Sequence, residues 1–393
     1  MQLSVIILNY NVRYFLELCV LSVQKAIQNL DAEIIVIDNN SSDDSCAIMK
    51  QCFPNIKLIE NKENSGFPKG NNIAVKEAKG EYICILNPDT VVAEDTFEKV
   101  LAFAKSKSDL GIVGCKLIDG TGNFLPESKR GIPTPNVAFT KIFGLYKLFP
   151  KSSLFNKYYA QHLDENQTGK VDILVGAFMV MKRELYNQLE GFDENCFMYA
   201  DDIDLSYRAL LLQKQNYYFH ETTVIHYKGE STVKDGTYMK RFQEAMNFFY
   251  KKHFKVSVFF SMFMKMGIVF FSFVKMFQGK PKAKVSPSCF VLVSDNETTR
   301  EKLEAKLQKN TERTILENGK IVFSQTFSEK KNTEVILDTN YLSFADAISF
   351  FETNKNKSFT FKLLPMQSNF IIGSNSSNDR GEIVVFSHSL QSQ

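Results

Sequence analysis

The 393-residue sequence contains no tryptophan, only seven cysteines and no large excess of charge of either sign. The cysteines are scattered, and no two of them are spaced as C-x-x-C, which argues against a disulfide framework or a cysteine zinc site. A reducing, cytosolic compartment is therefore expected. The net charge of +3, from 47 Lys and Arg against 44 Asp and Glu, is too balanced to predict nucleic acid as a partner.

The sequence also lacks a G-x-G-x-x-G fingerprint after its first apolar run, which disfavours a dinucleotide-dependent oxidoreductase. It has no repeat of fixed period. It starts with MQLSVIILNYN, which we interpret as a buried strand rather than as a basic, cleavable leader. Hydrophobic residues make up 44% of the chain and include 35 Phe, so a folded core is expected.

Short runs rich in Ile and Val alternate with amphipathic stretches near the beginning of the chain. The strand-like runs occupy 3–8, 33–38, 56–60 and 81–86, and helical periodicity lies between them. This alternation predicts an α/β fold with a Rossmann-like, doubly wound parallel sheet. Ligands bind beyond the carboxyl ends of the strands in such sheets, so residues that directly follow these strands are the first candidates for a site.

The chain is predicted to contain three regions. Residues 1–235 would form the first α/β domain, 236–287 a helical segment with a basic linker, and 288–393 a small α/β domain in which we recognise no chemistry. Within the first domain, the irregular stretch 116–170 is a candidate cover for an acceptor site.

The apolar stretch 256–278 has three possible interpretations. As a helix it would be about 34 Å long, which is enough to span a bilayer. However, Lys265 lies at its centre, its polar residues share one face, and lysines flank both ends. An amphipathic helix lying in the membrane surface is therefore favoured over a single span or a buried core helix.

Three segments that follow predicted strands carry polar or glycine residues suited to a nucleotide. Asp38 ends the second strand, where an acid can bind a base or ribose, although this segment can also cap the helix over 43–53. The turn NSGFPKGNN (64–72) leads into a helix, and a helix N-terminus favours phosphate. Asp89 in NPDT could bind a divalent cation, or the segment could be a simple turn.

The segment FMYADDIDLSYRA (197–209) crowds Asp201, Asp202 and Asp204 at the predicted start of a helix. Acids in a first helical turn can simply compensate the helix dipole. Their mutual repulsion and the preceding aromatic residues favour instead a pocket in which one carboxylate is a general base. His226 in VIHYKGEST is either a structural hydrogen-bonding residue or a ligand.

In chain order, six motifs resemble the inverting family 2 glycosyltransferases of the GT-A fold, and in particular their bacterial rhamnosyltransferase-like branch. The motifs are SVIILNYN, VIDNNSSDDS, NSGFPKGNN, NPDT, GAFMVMKRELYNQLEGFDENCFMYADDIDLSYR and IHYKGEST, and the resemblance covers about residues 1–235. It implies a metal-dependent hexosyltransferase that moves a sugar from a nucleoside diphosphate, expected to be dTDP or UDP, to a hydroxyl of a glycan or lipid-linked acceptor. Bacterial cell-surface polysaccharide synthesis is the expected setting.

The resemblance also implies a role for each matching residue. These are Leu8, Tyr10 and Asp38 at the base, Asn64, Gly66 and Lys69 at the ribose and diphosphate, Asp89 and His226 at Mg²⁺ or Mn²⁺, Asp202 as catalytic base, and Gly176, Ala177, Phe178 and Asp201 on the acceptor side. Two positions depart from the family pattern, because Asn87 replaces the first acid of the metal motif and Asp201 replaces a glutamate.

The alternative function is a catalytically weak regulator or scaffold that binds nucleotide sugars, which the presence of both Asp89 and Asp202 disfavours. The enzyme is expected in the cytoplasm, attached peripherally to the inner face of the cell membrane through 256–278, where a single span is the other possibility.

Overall fold

The computed structural model describes residues 1–142, 157–228, 236–254, 286–317, 320–321, 332–355, 357, 359–375 and 380–386. The apolar stretch 256–278 lies outside these residues, so its membrane role stays a prediction. None of the helices within the described ranges combines the length and the apolar character needed to cross a bilayer.

The first sheet contains nine strands in the described part of the chain. They are β1 (Leu3–Asn9), β2 (Ala32–Asp38), β3 (Lys57–Glu60), β4 (Tyr82–Leu86), β5 (Thr90–Val91), β6 (Leu110–Ile118), β7 (Gly169–Val171), β8 (Phe178–Lys182) and β9 (Gln215–His226). Their order is β3-β2-β1-β4-β8-β6-β9-β5, and β7 pairs with β9.

In the part of the chain that the structure describes, eight helices accompany this sheet, together with a 3-10 turn at Pro126–Ser128. The helices are α1 (Arg13–Ala26), α2 (Ser45–Cys52), α3 (Gly66–Lys76), α4 (Thr96–Lys105), α5 (Pro135–Ile142), α6 (Arg183–Gln188), α7 (Asp201–Leu211) and α8 (Gly236–His253).

The predicted α/β fold with an open sheet is confirmed, but only one half of the sheet is parallel. Strand β1 pairs in parallel with β2 and β4, so chain connections leave β1 in both directions. Such a switch point leaves a crevice beyond the carboxyl ends of the strands. Beyond β4 the sheet is mixed, because β8 runs antiparallel to both β4 and β6.

The central strands are buried on both faces, which explains why they appear in the sequence as continuous apolar runs. Every residue of β1 and of β4 is buried. Val5 and Ile7 belong to one hydrophobic cluster, whereas Ile6 and Leu8 belong to another. Because side chains alternate along a strand, these two clusters lie on opposite faces of the sheet.

A second sheet follows in the C-terminal part of the chain. Its strands are β10 (Cys289–Val293), β11 (Thr311–Thr314), β14 (Thr333–Asp338), β15 (Phe359–Leu364), β16 (Phe370–Gly373) and β17 (Glu382–Val385), and a separate hairpin pairs β12 (Leu316–Glu317) with β13 (Lys320–Ile321). The order is β11-β10-β14-β15-β16-β17. Helices α9 (Glu297–Leu307) and α10 (Phe344–Asn354) complete this predicted small α/β domain.

The two sheets are joined by one continuous hydrophobic core. Phe15 and Tyr227 of the first region pack 5.1 Å apart between ring centroids, and the same buried cluster includes Phe361 and Phe370 of the second. Tyr14 contacts Phe370 edge to face at 4.8 Å. Tyr227 directly follows β9, so the C-terminal sheet packs against the end of that strand.

A polar contact fixes the orientation of α10 on the first region. The carboxylate of Glu94 accepts hydrogen bonds from the N–H groups of Phe344 and Ala345, at 2.7 and 3.0 Å. These are the first residues of α10, where unpaired N–H groups and the positive end of the helix dipole favour a carboxylate. Helix α10 also has its own capping box, formed by Ser343 and Asp346, so Glu94 of the first region adds to a cap that the helix already supplies. The domain limits predicted from the sequence stay a prediction.

Candidate active site

A cleft of about 400 Å³ opens at the carboxyl ends of β1 and β4. Its lining includes eight residues predicted for the site, namely Leu8, Tyr10, Asn64, Gly66, Gly176, Ala177, Asp201 and Asp202. The residues that line it do not include Asp38, Lys69, Asp89, Phe178 or His226. The cleft therefore contains residues predicted for the base and residues predicted for the acceptor, while five predicted residues do not contribute to its lining.

Asp38 lies beside the cleft with its carboxylate engaged. Oδ1 accepts hydrogen bonds from Asn9 Nδ2 at 2.7 Å and Ser41 Oγ at 2.6 Å, and Oδ2 accepts from the Ser41 N–H at 2.8 Å. Asp38 thus holds the turn after β2, and its neighbour Asn39 lines the cleft. Asp43 Oδ1 accepts from the N–H of Ser45, the first residue of α2, at 3.1 Å, so Asp43 rather than Asp38 takes the capping role at this helix. The nucleotide-binding role of Asp38 stays a prediction.

Two positions with positive φ bring the segment 197–202 against the start of α3. Gly66 has φ +81°, and a Cβ atom there would lie 2.8 Å from the carbonyl oxygen of Phe197. Tyr199 has φ +79°, which is strained for a large side chain. Such strain persists only where surrounding contacts enforce it, and here it immediately precedes the acids of α7.

Lys69 and Phe178 lie away from the cleft lining for different reasons. Lys69 is on the exposed side of α3, where its ammonium is 3.4 Å from the Glu63 carboxylate. Phe178 begins β8 and stacks on Phe97 in the core, 6.0 Å between ring centroids. Ala177 lies in the turn before β8 and lines the cleft, whereas the Phe178 side chain is taken up by the core.

Asp89 lies in the turn between β4 and β5, next to His226, which is the last residue of β9. Oδ1 of Asp89 is 3.4 Å from Nε2 of His226, and both side chains are buried. Nδ2 of Asn87 is 3.3 Å from the same nitrogen. The Tyr227 N–H donates to the Asp89 carbonyl at 3.0 Å, which fixes the two strand ends together. Within the described residues there is no group of three or more His, Cys, Asp or Glu that could hold a metal.

Asp202 combines a firmly held oxygen with an unpaired one. Oδ2 accepts from Arg130 Nη2 at 2.6 Å and from the Gly176 N–H at 3.1 Å. Oδ1 is buried and has no hydrogen-bond partner among the described residues. Burial, and then the negative charge of Asp202, raises the pKa of neighbouring Asp201 above its ordinary value. The pair thus sets an ion-paired carboxylate beside one that favours its protonated form.

Asp204 has a different environment from the other two acids. It is fully buried, and its carboxylate contacts Arg208 Nε at 2.6 Å, His253 Nε2 at 2.6 Å and Lys252 Nζ at 2.9 Å. Asp204 lies in the first turn of α7, as the sequence predicts, and it is in addition the centre of a buried ion-pair cluster. Two of its partners belong to α8, so the cluster ties α8 to α7.

Several cleft residues were not singled out from the sequence. Arg130, Glu127 and Tyr158 come from the irregular stretch 116–170, where no motif or periodicity marks them. Lys228 also lines the cleft, and it lies inside the motif that contains His226, so a basic residue two positions after that histidine was an available signal. Burial acts to raise the pKa of Glu127, but the charge and hydrogen bond of Lys228 outweigh it and hold this pKa below its usual value.

With this geometry in view, residues 4–190 match the family model "Glycosyl transferase family 2". Residues 4–190 therefore belong to a family 2 glycosyltransferase domain. The predicted resemblance and the GT-A fold class are thereby confirmed. Asp89 falls within the matched residues, whereas Asp202 and His226 lie beyond them.

Relatives of the glycosyltransferase include two rhamnosyltransferases. It is 24% identical over 213 residues to the N-acetylglucosaminyl-diphospho-decaprenol L-rhamnosyltransferase of Mycobacterium tuberculosis (strain CDC 1551 / Oshkosh), covering 51% of this chain and 68% of that protein. It is 27% identical over 221 residues to rhamnosyltransferase WbbL of Escherichia coli K12, and the match covers 52% of this chain and 78% of that protein. Mannosyltransferase PcManGT of Pyrobaculum calidifontis, solved with GDP-Man and Mn²⁺, has a TM-score of 0.43 to this chain at 19% identity. The match covers 62% of this chain and 61% of that chain.

Proposed function

We propose that this glycosyltransferase moves a sugar from a nucleoside diphosphate to an acceptor hydroxyl in a single displacement that inverts the anomeric configuration. The main support is Asp202, which keeps one unpaired carboxylate oxygen. It lines the same cleft as Asn87 and Pro88, the two residues directly before Asp89. The candidate base therefore lines a cleft whose wall includes the two residues directly before the candidate cation-binding acid.

Asp202 is the general base in this proposal. Its Oδ1 takes the proton of the acceptor hydroxyl while that oxygen forms a bond to the anomeric carbon. The bond from that carbon to the diphosphate breaks on the opposite face, and the nucleoside diphosphate leaves with the electron pair. Arg130 and the Gly176 N–H hold Oδ2, so they orient the carboxylate. No covalent sugar–enzyme intermediate is needed.

Asp89 and His226 are the residues that would hold a divalent cation. Their facing atoms are 3.4 Å apart, close enough for both to contact one ion through bonds of about 2.1 Å. A carboxylate oxygen with a neutral imidazole nitrogen is a suitable donor pair for Mn²⁺ or Mg²⁺, with further ligands coming from the donor and water. When bound, the cation would neutralise charge on the departing diphosphate.

The donor and acceptor are proposed from the resemblance and from the names of the relatives. A dTDP- or UDP-sugar is the proposed donor, with Leu8 and Tyr10 on the base side of the cleft. Asp38 would contribute mainly by fixing the turn that presents Asn39. The mycobacterial relative is named for rhamnosyl transfer to a lipid-linked sugar, so we propose a glycan or lipid-linked acceptor in cell-surface polysaccharide synthesis.

Peripheral membrane attachment through 256–278 completes the proposal. Co-sedimentation of the full chain with anionic liposomes should exceed that of a chain lacking 256–278. Equal sedimentation of the two proteins would contradict a membrane role for this stretch.

A thermal-shift screen of nucleotide sugars, with and without Mn²⁺, tests the function. A ligand at one hundred times its dissociation constant stabilises the folded protein by about 2.7 kcal/mol. Pyrimidine nucleotide sugars should stabilise it most, and Mn²⁺ should increase their effect in the wild type and in the control Asp31→Asn but not in Asp89→Asn.

The screen is followed by a test for turnover with a bound donor and candidate acceptors. Release of free nucleoside diphosphate is the expected product. Binding without such release would favour the regulator, and stabilisation by no nucleotide sugar would refute both functions.

A further inference from the structure

Lys228 lies at a position of the cleft that no sequence motif assigns a role. It follows β9 by two residues, adopts φ +62°, and lines the cleft. The residue before it, Tyr227, is anchored through its N–H to the carbonyl of Asp89 and through its ring to Phe15. The backbone that carries Lys228 is therefore fixed beside the candidate cation site.

The ammonium of Lys228 forms an ion pair with the carboxylate of Glu127, which belongs to the 3-10 turn Pro126–Ser128. Both residues line the cleft, and 39% of the Lys228 side chain and 19% of the Glu127 side chain remain exposed. Partly solvated ion pairs add little net stability. A ligand with a stronger negative charge can therefore replace the carboxylate at small cost.

Among the described residues, the other basic side chains at or near the cleft have contacts elsewhere. Arg130 is bonded to Asp202 and to the carbonyl of Leu174. The guanidinium of Arg241 lies over the ring of Phe197 at 5.2 Å. Lys69 is outside the lining of the cleft. Among the described cleft residues, Lys228 is thus the basic residue that lies beside the Asn87–Asp89 segment and whose ion-pair partner, Glu127, a ligand can replace.

We propose that Lys228 binds the diphosphate of the donor and that Glu127 holds the ammonium in the absence of donor, so that donor phosphate displaces the Glu127 carboxylate. This inference rests on the proposed function, because it takes a nucleoside diphosphate as the ligand. A diphosphate offers more charge and more acceptor oxygens than one carboxylate, which favours the exchange. Glu127 then acts as an internal competitor that weakens donor binding.

The test is decisive because replacing Lys228 and replacing Glu127 should change the affinity for the donor in opposite directions. Affinity for UDP and dTDP, measured by calorimetry with Mn²⁺ and repeated without it, should fall at least about tenfold in Lys228→Gln and rise in Glu127→Gln. The corresponding nucleoside monophosphate should show a smaller change in both variants. Lys57→Gln, which removes an exposed lysine from its ion pair with Glu77, is the matched control and should leave affinity within about twofold.

A purely structural ion pair predicts a different pattern, since breaking it from either side should act in the same direction. Loss of affinity in both Lys228→Gln and Glu127→Gln would therefore overturn the inference, as would unchanged affinity in Lys228→Gln. A larger loss in Lys69→Gln than in Lys228→Gln would assign the diphosphate to Lys69 instead. If the wild type bound neither diphosphate, the proposed function would fail together with this inference.

Discussion

Replacing Asp202 by asparagine is the sharpest test of the catalytic assignment. The amide has nearly the same size as the carboxylate and keeps an oxygen that can accept from Arg130 and the Gly176 N–H. What it removes is the ability of the free oxygen to take a proton. Donor binding should therefore persist, because the change affects an interaction that strengthens only in the transition state.

The size of the expected effect follows from the environment of the side chain. Loss of a general base lowers turnover by about 10²–10⁴-fold, which corresponds to about 2.7–5.4 kcal/mol of activation free energy. Isolating a buried charge costs about 3–5 kcal/mol of stability, but Arg130 would not be isolated here. Asp201 also interacts electrostatically with Arg130, and it is relieved of the repulsion from Asp202, so its carboxylate can compensate the guanidinium.

The assay is turnover at a saturating donor concentration, read as release of nucleoside diphosphate, together with calorimetric donor affinity and urea unfolding. Turnover should collapse while donor affinity stays within about twofold and the loss of stability stays below the cost of an isolated charge. Near wild-type turnover in Asp202→Asn would refute the reasoning and move the base to Asp201, the neighbouring acid in the cleft. Loss of donor affinity in proportion to turnover would instead indicate a binding role.

Three further predictions concern stability. Asp204→Asn should lower the free energy of unfolding by about 3–5 kcal/mol, measured by urea unfolding, with turnover of the folded fraction preserved; a loss below about 1 kcal/mol would contradict its role as the ion-pair centre. The raised pKa of Asp201 means that its protonated form stabilises the fold at low pH, and this contribution is lost as the pH rises through that pKa. The melting temperature of Asp201→Asn, compared with that of the wild type at the same pH, should therefore increase between about pH 4 and pH 8. Each tenfold difference in proton affinity between the folded and unfolded chain contributes about 1.4 kcal/mol to this gain, and a difference independent of pH would refute it. Glu94→Gln should destabilise the chain by about 1 kcal/mol in urea unfolding, and more at low salt, because the first N–H groups of α10 lose a carboxylate that adds to the Ser343–Asp346 capping box; no salt dependence would argue against this electrostatic contact.

Local sequence patterns determined the elements of the first sheet and the positions that end them. The apolar runs of β1 and β4 are continuous because both faces of these strands are buried, and that burial depends mainly on composition along the chain. Asp202 and the Asn87–Asp89 turn were identified because each directly adjoins a strongly patterned element. For the same reason the α/β fold could be predicted, while the antiparallel β8 could not, since strand direction depends on distant connections.

The identity of each acid's partners was decided only by tertiary structure. Asp202 and Asp204 are two residues apart in the same helical turn, yet one faces Arg130 across the cleft and the other faces Lys252 and His253 of α8. Likewise, nothing in the sequence around Asp38 indicates that Asn9 of the neighbouring strand donates a hydrogen bond to its carboxylate.

The sequence alone thus determined which segments become strands and helices and which chemical groups stand at their ends, because periodicity and turn residues act over a few positions. It could not determine that Glu94 caps a helix 250 residues away, or that the C-terminal sheet packs on Tyr227. Those contacts depend on how two separately formed surfaces meet. Pairing between distant residues leaves no periodic trace in a single chain, so only the folded structure reveals which charges neutralise one another and which buried oxygen keeps no hydrogen-bond partner.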